Sequence, residues 1–324
     1  MAVRTRSRRV QDAFELFQLE KRGDRASRAT LDFYALQVGA FLRWLERECP
    51  QALHFDGLDG TVLRRYRADL ADSLTRHGRR LQPESLRASH RGVMAFLRWA
   101  AEEGYPVDEG LLRLRPPHRE RKEATVYHVA QVRQILSCWE SPSEELAVKI
   151  MVGSGVRMSE LCGLALKGPD GLPDLMLDSL DRGRAELRVR SDGGAKGAKT
   201  KRVPITSKLA ATIKRYASQH RPESELPTLL LSRRGRPFVK GGIDSMMDRF
   251  KARLGFRVHA HAFRHTFATV ATQSGWNLER LRVAMGHSDY TVLQRYVELS
   301  MQRDLGPLKE WRDLLVLGSE GDGR

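Results

Sequence analysis

The sequence predicts a mainly α-helical protein with a small β-sheet: a helical N-terminal domain followed by a mixed, mostly helical α+β domain. Three observations carry that prediction. Apolar residues recur at three- and four-residue steps through most of residues 10–110 and again from about 126 onward, which is the spacing of amphipathic helices. Strand-like alternation is concentrated in Glu186-Leu187-Arg188-Val189-Arg190, then Gly193-Gly194, then Arg202-Val203-Pro204-Ile205, which reads as a β-hairpin with a long basic loop. A charged stretch holding Pro116 and Pro117 divides the two regions. The 324 residues suffice for about two domains, each with its own core.

The N-terminal elements follow from their apolar arcs. Leu31, Tyr34, Val38, Phe41, Leu42 and Leu45 mark one helix, with Pro50 beyond its end. Val62, Leu63, Tyr66 and Leu70 mark a second. A third is opened by Pro83, runs through Leu86, His90, Val93, Leu97 and Ala101, and stops at Gly104. Residues 1–111 are therefore assigned to one helical bundle. Its opposite faces carry Arg64, Arg65, Arg67, Arg87, Arg91 and Arg98, either a solvated surface or one that grips phosphates. In residues 112–125 the prolines disfavour helix and the charge density disfavours burial, so this segment is assigned as the linker.

The second domain is assigned to residues 126–302. Val132, Ile135, Leu136 and Trp139 mark one helix; Leu146, Ile150 and Met151 mark another, ending at Gly153-Ser154-Gly155. After the hairpin, helical runs are expected near 207–220, 241–254, 261–274, 277–285 and 291–300. In the tail, 303–324, Leu305, Leu308, Trp311, Leu314, Leu315 and Leu317 trace one face of a short helix, with Pro307 near its first turn. Such a helix is marginal alone and must bury that face on its own domain or on another protomer.

Composition narrows the partners. There are 56 Lys+Arg against 40 Asp+Glu, a formal net charge of +16, which favours polyanions and an affinity that falls steeply with salt. Charge alone also suits a ribosomal or merely basic protein. No apolar run approaches the roughly 20 residues of a spanning helix, and the basic start lacks the apolar stretch of a secretory signal. A cytoplasmic protein without membrane contact is expected. Cys49, Cys138 and Cys162 are scattered, without metal-ligand spacing, and read as buried small hydrophobes in a reducing compartment. No Walker loop, zinc pattern or dinucleotide turn occurs, so neither a cofactor nor a metal is expected.

Five short stretches carry the chemistry. Arg157 follows the Gly153-Ser154-Gly155 turn, where a helix begins, and Glu160 lies three residues on, able to share its face and orient it. A guanidinium keeps its charge and offers forked donors to two phosphate oxygens. A basic hairpin loop holds Lys196 and Lys199. His261 and Arg264 stand three apart on one helix face, with His259 and His265 as competing histidines. Gly286-His287-Ser288 follows, and Tyr296 lies nine residues beyond His287. Two arginines, a lysine, two histidines and a tyrosine can hold a phosphodiester and attack it with a phenol. Each residue alone would be read as ordinary surface or core.

Taken together and in this order, these stretches resemble the tyrosine recombinases, the family of phage integrases and Xer-type resolvases. The likeness rests on Gly155-Val156-Arg157-Met158-Ser159-Glu160-Leu161 (valine where the family has leucine), His261-Ala262-Phe263-Arg264-His265-Thr266, Gly286-His287, and the interval to Tyr296. It implies a core-binding N-terminal domain, SAM-like in fold, and a catalytic domain. It selects His261 over its neighbours, leaving His265 as a structural, hydrogen-bonded histidine. It makes His287 a phosphate-oxygen donor, Tyr296 rather than Tyr290 the nucleophile, and Lys196 the general acid, with Lys199 as runner-up. Between Arg157 and Lys196 the chain is longer than a minimal member, read as an insertion near 168–183. The implied chemistry is a 3′-phosphotyrosine link like that of type IB topoisomerases, made by a homo-tetramer on two double-stranded DNA recombination sites, with a directionality factor as a further partner. With only a short segment before the first helices, no separate arm-binding domain is expected. Integration or excision of a mobile element is the leading expectation, with an Xer-type dimer resolvase beside it. A non-catalytic architectural DNA-binding protein and a relaxing topoisomerase remain as other classes. The tail is expected to pack on a neighbouring protomer.

Overall fold

Helices α1 Val10–Gly23, α2 Arg28–Glu48, α3 Gly60–Asp72 and α4 Pro83–Glu102, with the single turn α5 Glu109–Leu112, make up the N-terminal unit. The structure, a computed structural model, describes residues 9–75, 78–118, 123–179, 184–190, 200–287 and 289–314. Among these, residues up to 118 form one compact unit and those from 123 onward another. The apolar arcs read from sequence are the buried faces: Val38, Phe41, Leu42 and Leu45 of α2, Leu63 and Tyr66 of α3, Val93 and Leu97 of α4. Helix α1 adds Phe14 and Phe17, whose rings meet Phe96 and Trp99 edge-on at 5.5 and 5.3 Å. Three polar groups that enter this core find partners, whereas His90 Nδ1 is buried with no hydrogen-bond partner among the described residues. Trp44 Nε1 donates to Asp69 (3.0 Å), Trp99 Nε1 to Glu20 (2.7 Å), and the Tyr66 hydroxyl pairs with Ser89 (3.1 Å).

Several of the six arginines singled out in this unit have protein partners. Arg67 donates to the Arg115 carbonyl at 2.9 Å and Arg87 to that of Pro117, while Arg91 lies over the Phe33 ring, 4.9 Å from its centroid. Leu112 and Leu114 also pack against the core, so the first part of the proline-rich segment is held by the bundle. His90, buried beside Arg67, Arg98 and Arg87, has its pKa pushed down to about 4 by burial and then by those cations.

The second unit contains α6 Val129–Leu136, α7 Pro142–Ser154, α8 Met158–Cys162, then strands β1 Leu175–Ser179, β2 Arg184–Arg190 and β3 Thr200–Ile205, and helices α9 Ser207–Arg215, α10 Lys240–Leu254, α11 Ala260–Gln273, α12 Leu278–Met285, α13 Thr291–Gln302 and α14 Leu308–Asp313. The strands form an antiparallel sheet in the order β1-β2-β3, with Leu187 opposite Val203 and Arg188 opposite Arg202. The expected hairpin is β2 and β3. The stretch read as an insertion supplies β1, so a third strand went unread. Asp170 and Asp174, in the segment leading into β1, pair with Arg188 and Arg190 of β2, a polar contact that apolar periodicity cannot reveal. Trp139 lies past the end of α6 and is exposed.

Helix α11 is the axis of this unit. Every residue from Ala262 to Ala271 is buried, which is the signature of a helix surrounded on all sides, and α7, α10, α12 and α13 all contact it. Among the described residues no helix is long and apolar enough to cross a membrane.

In this single chain α14 packs on its own domain: Trp311 is wholly buried within the core that includes Val129, Ile135 and Leu305, and its indole N–H donates to the Leu305 carbonyl at 2.8 Å. Leu305 is fastened in turn, its carbonyl accepting from Val129 N at 2.9 Å. The large indole has a complementary site in cis. Residues 315–324, which include Leu315 and Leu317, lie outside those described. Trp311→Ala should cost about 3–5 kcal/mol of stability, read as a shift in the urea midpoint of the full chain. An unchanged midpoint would show that the indole is not buried in solution.

Candidate active site

Arg264 stands at the buried centre of α11 with 2% of its surface exposed. A guanidinium there needs acceptors, because an uncompensated buried charge is very costly. Two helix C-termini provide them. Arg264 Nη1 donates to the carbonyl of Gly155 at 2.8 Å, and Nη2 to that of Met285. Gly155 caps α7 and Gly286 caps α12, both in the left-handed conformation, φ 63° and 62°. Glycine adopts it without penalty. A Cβ on Gly155 would also lie 2.4 Å from the Phe267 ring. Both helix dipoles therefore direct their negative ends at one cation. Burial, and secondarily Arg157, still draw the Arg264 pKa down to about 10, leaving it charged at neutral pH.

Arg157 is the N-cap of α8, just beyond the Gly155 turn. Glu160 accepts from it twice, from the backbone N–H at Oε2 (2.7 Å) and from Nη1 at Oε1 (2.9 Å). The expected orienting pair is thus present, with the Glu160 carboxylate satisfying the N-cap N–H of α8. The Arg157 side chain is 44% exposed while Glu160 is buried, so the carboxylate anchors and the guanidinium faces outward. Burial alone would raise the Glu160 pKa; Lys201 and the Arg157 hydrogen bond lower it below the ordinary value. Lys201, in β3, completes the cluster with Nζ 3.1 Å from Glu160 Oε1. It was not singled out in the sequence, although its position after the basic loop was a usable signal.

His287 follows Gly286, and its Nε2 lies 2.8 Å from Arg264 Nη2. A guanidinium can only donate, so Nε2 is the acceptor and the proton of the neutral ring sits on Nδ1, free of that contact. Burial, and then Arg264 and Arg157, push its pKa down to about 4. Tyr296 in α13 is 1% exposed, and its ring centroid lies 6.3 Å from that of His287. Its hydroxyl pairs with His265 Nδ1 at 3.2 Å, and burial raises its pKa. His265 is hydrogen-bonded, as expected, but its partner is the tyrosine picked as nucleophile. His261 lies on the exposed face of α11 with its ring 4.4 Å from that of His265. His259 serves locally, its Nδ1 capping α11 through Ala262 N.

Arg157, Glu160, Arg264, His287 and Tyr296 are thus brought together, with His261 at the rim. Lys196 and its runner-up Lys199 lie outside the described residues. Tyr290 stands apart, exposed, with its hydroxyl on Glu279. Three cations against one carboxylate leave the centre with surplus positive charge, suited to an anion. Among the described residues no three His, Cys, Asp or Glu side chains gather as a metal-binding group.

Comparison with known proteins agrees with this geometry. Residues 126–303 match the model of the phage integrase family. A tyrosine recombinase XerC of Xylella fastidiosa (strain M23) is 26% identical over 91% of this chain and 94% of its own length. A XerA of Thermococcus kodakarensis is 30% identical over 60% of this chain and 66% of its own. Two solved structures share the fold: a lambda integrase dimer bound to a COC′ core site (TM-score 0.70, 15% identity, covering 92% of this chain and 98% of that one), and a Tn1549 transposon integrase in complex with a circular intermediate DNA (TM-score 0.67, 17% identity, 95% and 98%). The chain belongs to the phage integrase family, the tyrosine recombinases. It is therefore a site-specific DNA recombinase, an enzyme of the class that cleaves and rejoins DNA through a phosphotyrosine intermediate.

The half-buried His287 makes stability depend on pH. His287 titrates near its ordinary 6.5 when unfolded but only near 4 when folded, so between those values the unfolded chain binds the extra proton. The stability that neutral His287 contributes is complete above about pH 6.5 and is lost as pH falls towards 4. His287→Gln should therefore flatten the decline of melting temperature over that window. A decline as steep as in the parent protein would refute the shift.

Proposed function

We propose that Tyr296 is the nucleophile of this recombinase and that Arg157, Arg264, His261, His287 and Lys196 serve it. The observation that carries this is the meeting of four separated stretches, at Arg157, Arg264, His287 and Tyr296, around one cationic centre. Tyr296 attacks the scissile phosphorus, the bond to the 5′-oxygen breaks, and a 3′-phosphotyrosine link forms. Arg157, which faces outward, and His287, through Nδ1–H, hold the non-bridging oxygens. Arg264 adds its charge from beneath, with two of its five N–H donors not engaged by Gly155, Met285 or His287. A phenol is a weak nucleophile near neutrality, and its proton has an acceptor in His265, with His261 beside it to assist the transfer. Lys196 protonates the departing 5′-oxygen. Attack by a 5′-hydroxyl from another duplex reverses the step and joins new partners.

Recombination by this route uses four such sites, so the working species is a homo-tetramer on two double-stranded DNA sites, acting in the cytoplasm, with a directionality factor to bias the outcome. Its role is integration or excision of a mobile element. A second reading, resolution of chromosome or plasmid dimers, is favoured by the Xer names of the sequence relatives. Recombination of paired sites flanking the gene itself would support the first role; a single distant chromosomal site would support the second.

The nucleophile can be tested on a nicked suicide duplex. Tyr296→Phe should bind DNA and form no covalent adduct, whereas Tyr290→Phe should still form it. An adduct from the Tyr296 variant would remove the assignment.

The leaving group gives an independent test. Lys196→Ala should cleave slowly, and a bridging 5′-phosphorothiolate, whose sulfur departs without a proton, should restore most of the rate. Rescue of Lys199→Ala instead would move the role to Lys199.

A further inference from the structure

Lys201 turns its side chain into the site rather than out of the hairpin, leaving 14% of it exposed. Its ammonium reaches two acceptors, Glu160 Oε1 at 3.1 Å and the Met285 carbonyl at 3.4 Å. Each already serves one arginine. Glu160 Oε1 accepts from Arg157 Nη1, and the Met285 carbonyl accepts from Arg264 Nη2. One side chain therefore connects the support of one guanidinium to the support of the other. Gly286 makes room for it, since a Cβ there would come 3.2 Å from Lys201 Cδ.

We propose that Lys201 is a positioning residue for strand cleavage: by tying Glu160 to the Met285 carbonyl, it sets the separation and tilt at which Arg157 and Arg264 meet the scissile phosphate. The proposal rests on the reading of the site given above. A third cation beside two others is unfavourable unless it does something a neutral side chain cannot. Burial pushes its pKa down to about 8, with Glu160 opposing that shift and Arg264 and Arg157 adding to it. An ammonium has three donors and no acceptor, which suits a group that must satisfy a carboxylate and a carbonyl at once. Because both contacts are to the protein, Lys201 acts through the arginines.

The test uses the full chain and a duplex that it selects from a random-sequence pool, nicked beside the cleavage position so that the adduct accumulates. Lys201→Met should slow adduct formation roughly ten- to a hundredfold, the effect expected of about an ångström of misplacement, while duplex affinity stays nearly constant. Lys201→Arg should recover most of the rate. A bridging 5′-phosphorothiolate should not rescue Lys201→Met, although it rescues Lys196→Ala. Combined with Glu160→Gln, the loss should be much smaller than the product of the two single losses, because both remove the same bridge. If Lys201→Met does not fold, Lys201→Gln is read in its place. Rescue by sulfur would make Lys201 the general acid and overturn the proposal, as would full multiplication of the two losses or a parental rate. Tyr296→Phe is run alongside: an adduct there strikes at the nucleophile, whereas the Lys201 outcomes strike only at the bridge.

Discussion

The buried charge of Arg264 is the constraint around which the catalytic unit is organised. A guanidinium 2% exposed can be kept ionised only if its surroundings replace water. The unit does this with the carbonyl ends of α7 and α12, each helix dipole contributing about 0.3–2 kcal/mol in such a position. Meeting that requirement dictates much else. Both helices must end at the same point, both must end in a left-handed residue, and α11 must run between them. Arg157 and His287 then follow directly from the two turns, two residues after Gly155 and one after Gly286. The distant stretches are adjacent because each contributes to solvating one cation.

That arrangement leaves a preorganised field. Arg157, Arg264 and Lys201 surround a single carboxylate, and no side chain has to move far for an anion to meet cationic donors. Preorganised charge of this kind is worth more than charge that must be assembled during reaction. The proposed nucleophile is held back: its phenol is buried and bonded to His265, with burial raising its pKa. The same low-dielectric surroundings keep His287 and His265 neutral, their pKa values near 4 and 3. Nε2 of His287 is thereby an acceptor for Arg264, and Nδ1 carries the ring proton.

The N-terminal unit shows how a charged surface can mislead and inform at once. Arg67 and Arg87 help fasten the chain after α5, and Arg91 stacks on Phe33. Arg64 and Arg98 remain exposed, alongside a formal excess of sixteen positive charges over the whole chain. Guanidiniums that cap carbonyls keep their charge, so a structural use does not preclude attraction of a polyanion. It does reduce the number of donors free to contact phosphate.

The sequence by itself determined most of the longer helices, because amphipathic periodicity is a local record of which face is buried: the arcs in α2, α3, α4 and α7 supply the buried residues observed. It also determined the hairpin, and it nominated the candidate site through short stretches whose order is written in the chain. Other features had no local record. The segment leading into β1 is tied to β2 by Asp170 and Asp174 against Arg188 and Arg190, and an ion pair has no period. Trp311 could have been buried on its own domain or elsewhere, since an apolar face does not name its partner. The depth difference between His261 and Arg264, three apart on one helix, was set by the helices packed around α11. Only the tertiary structure gave His265 to Tyr296 and brought Lys201 to Glu160. Hydrogen bonds between residues 31 and 41 positions apart depend on where the backbone ends up, and a side chain's chemistry states what it can bond, not which neighbour folding will bring within reach.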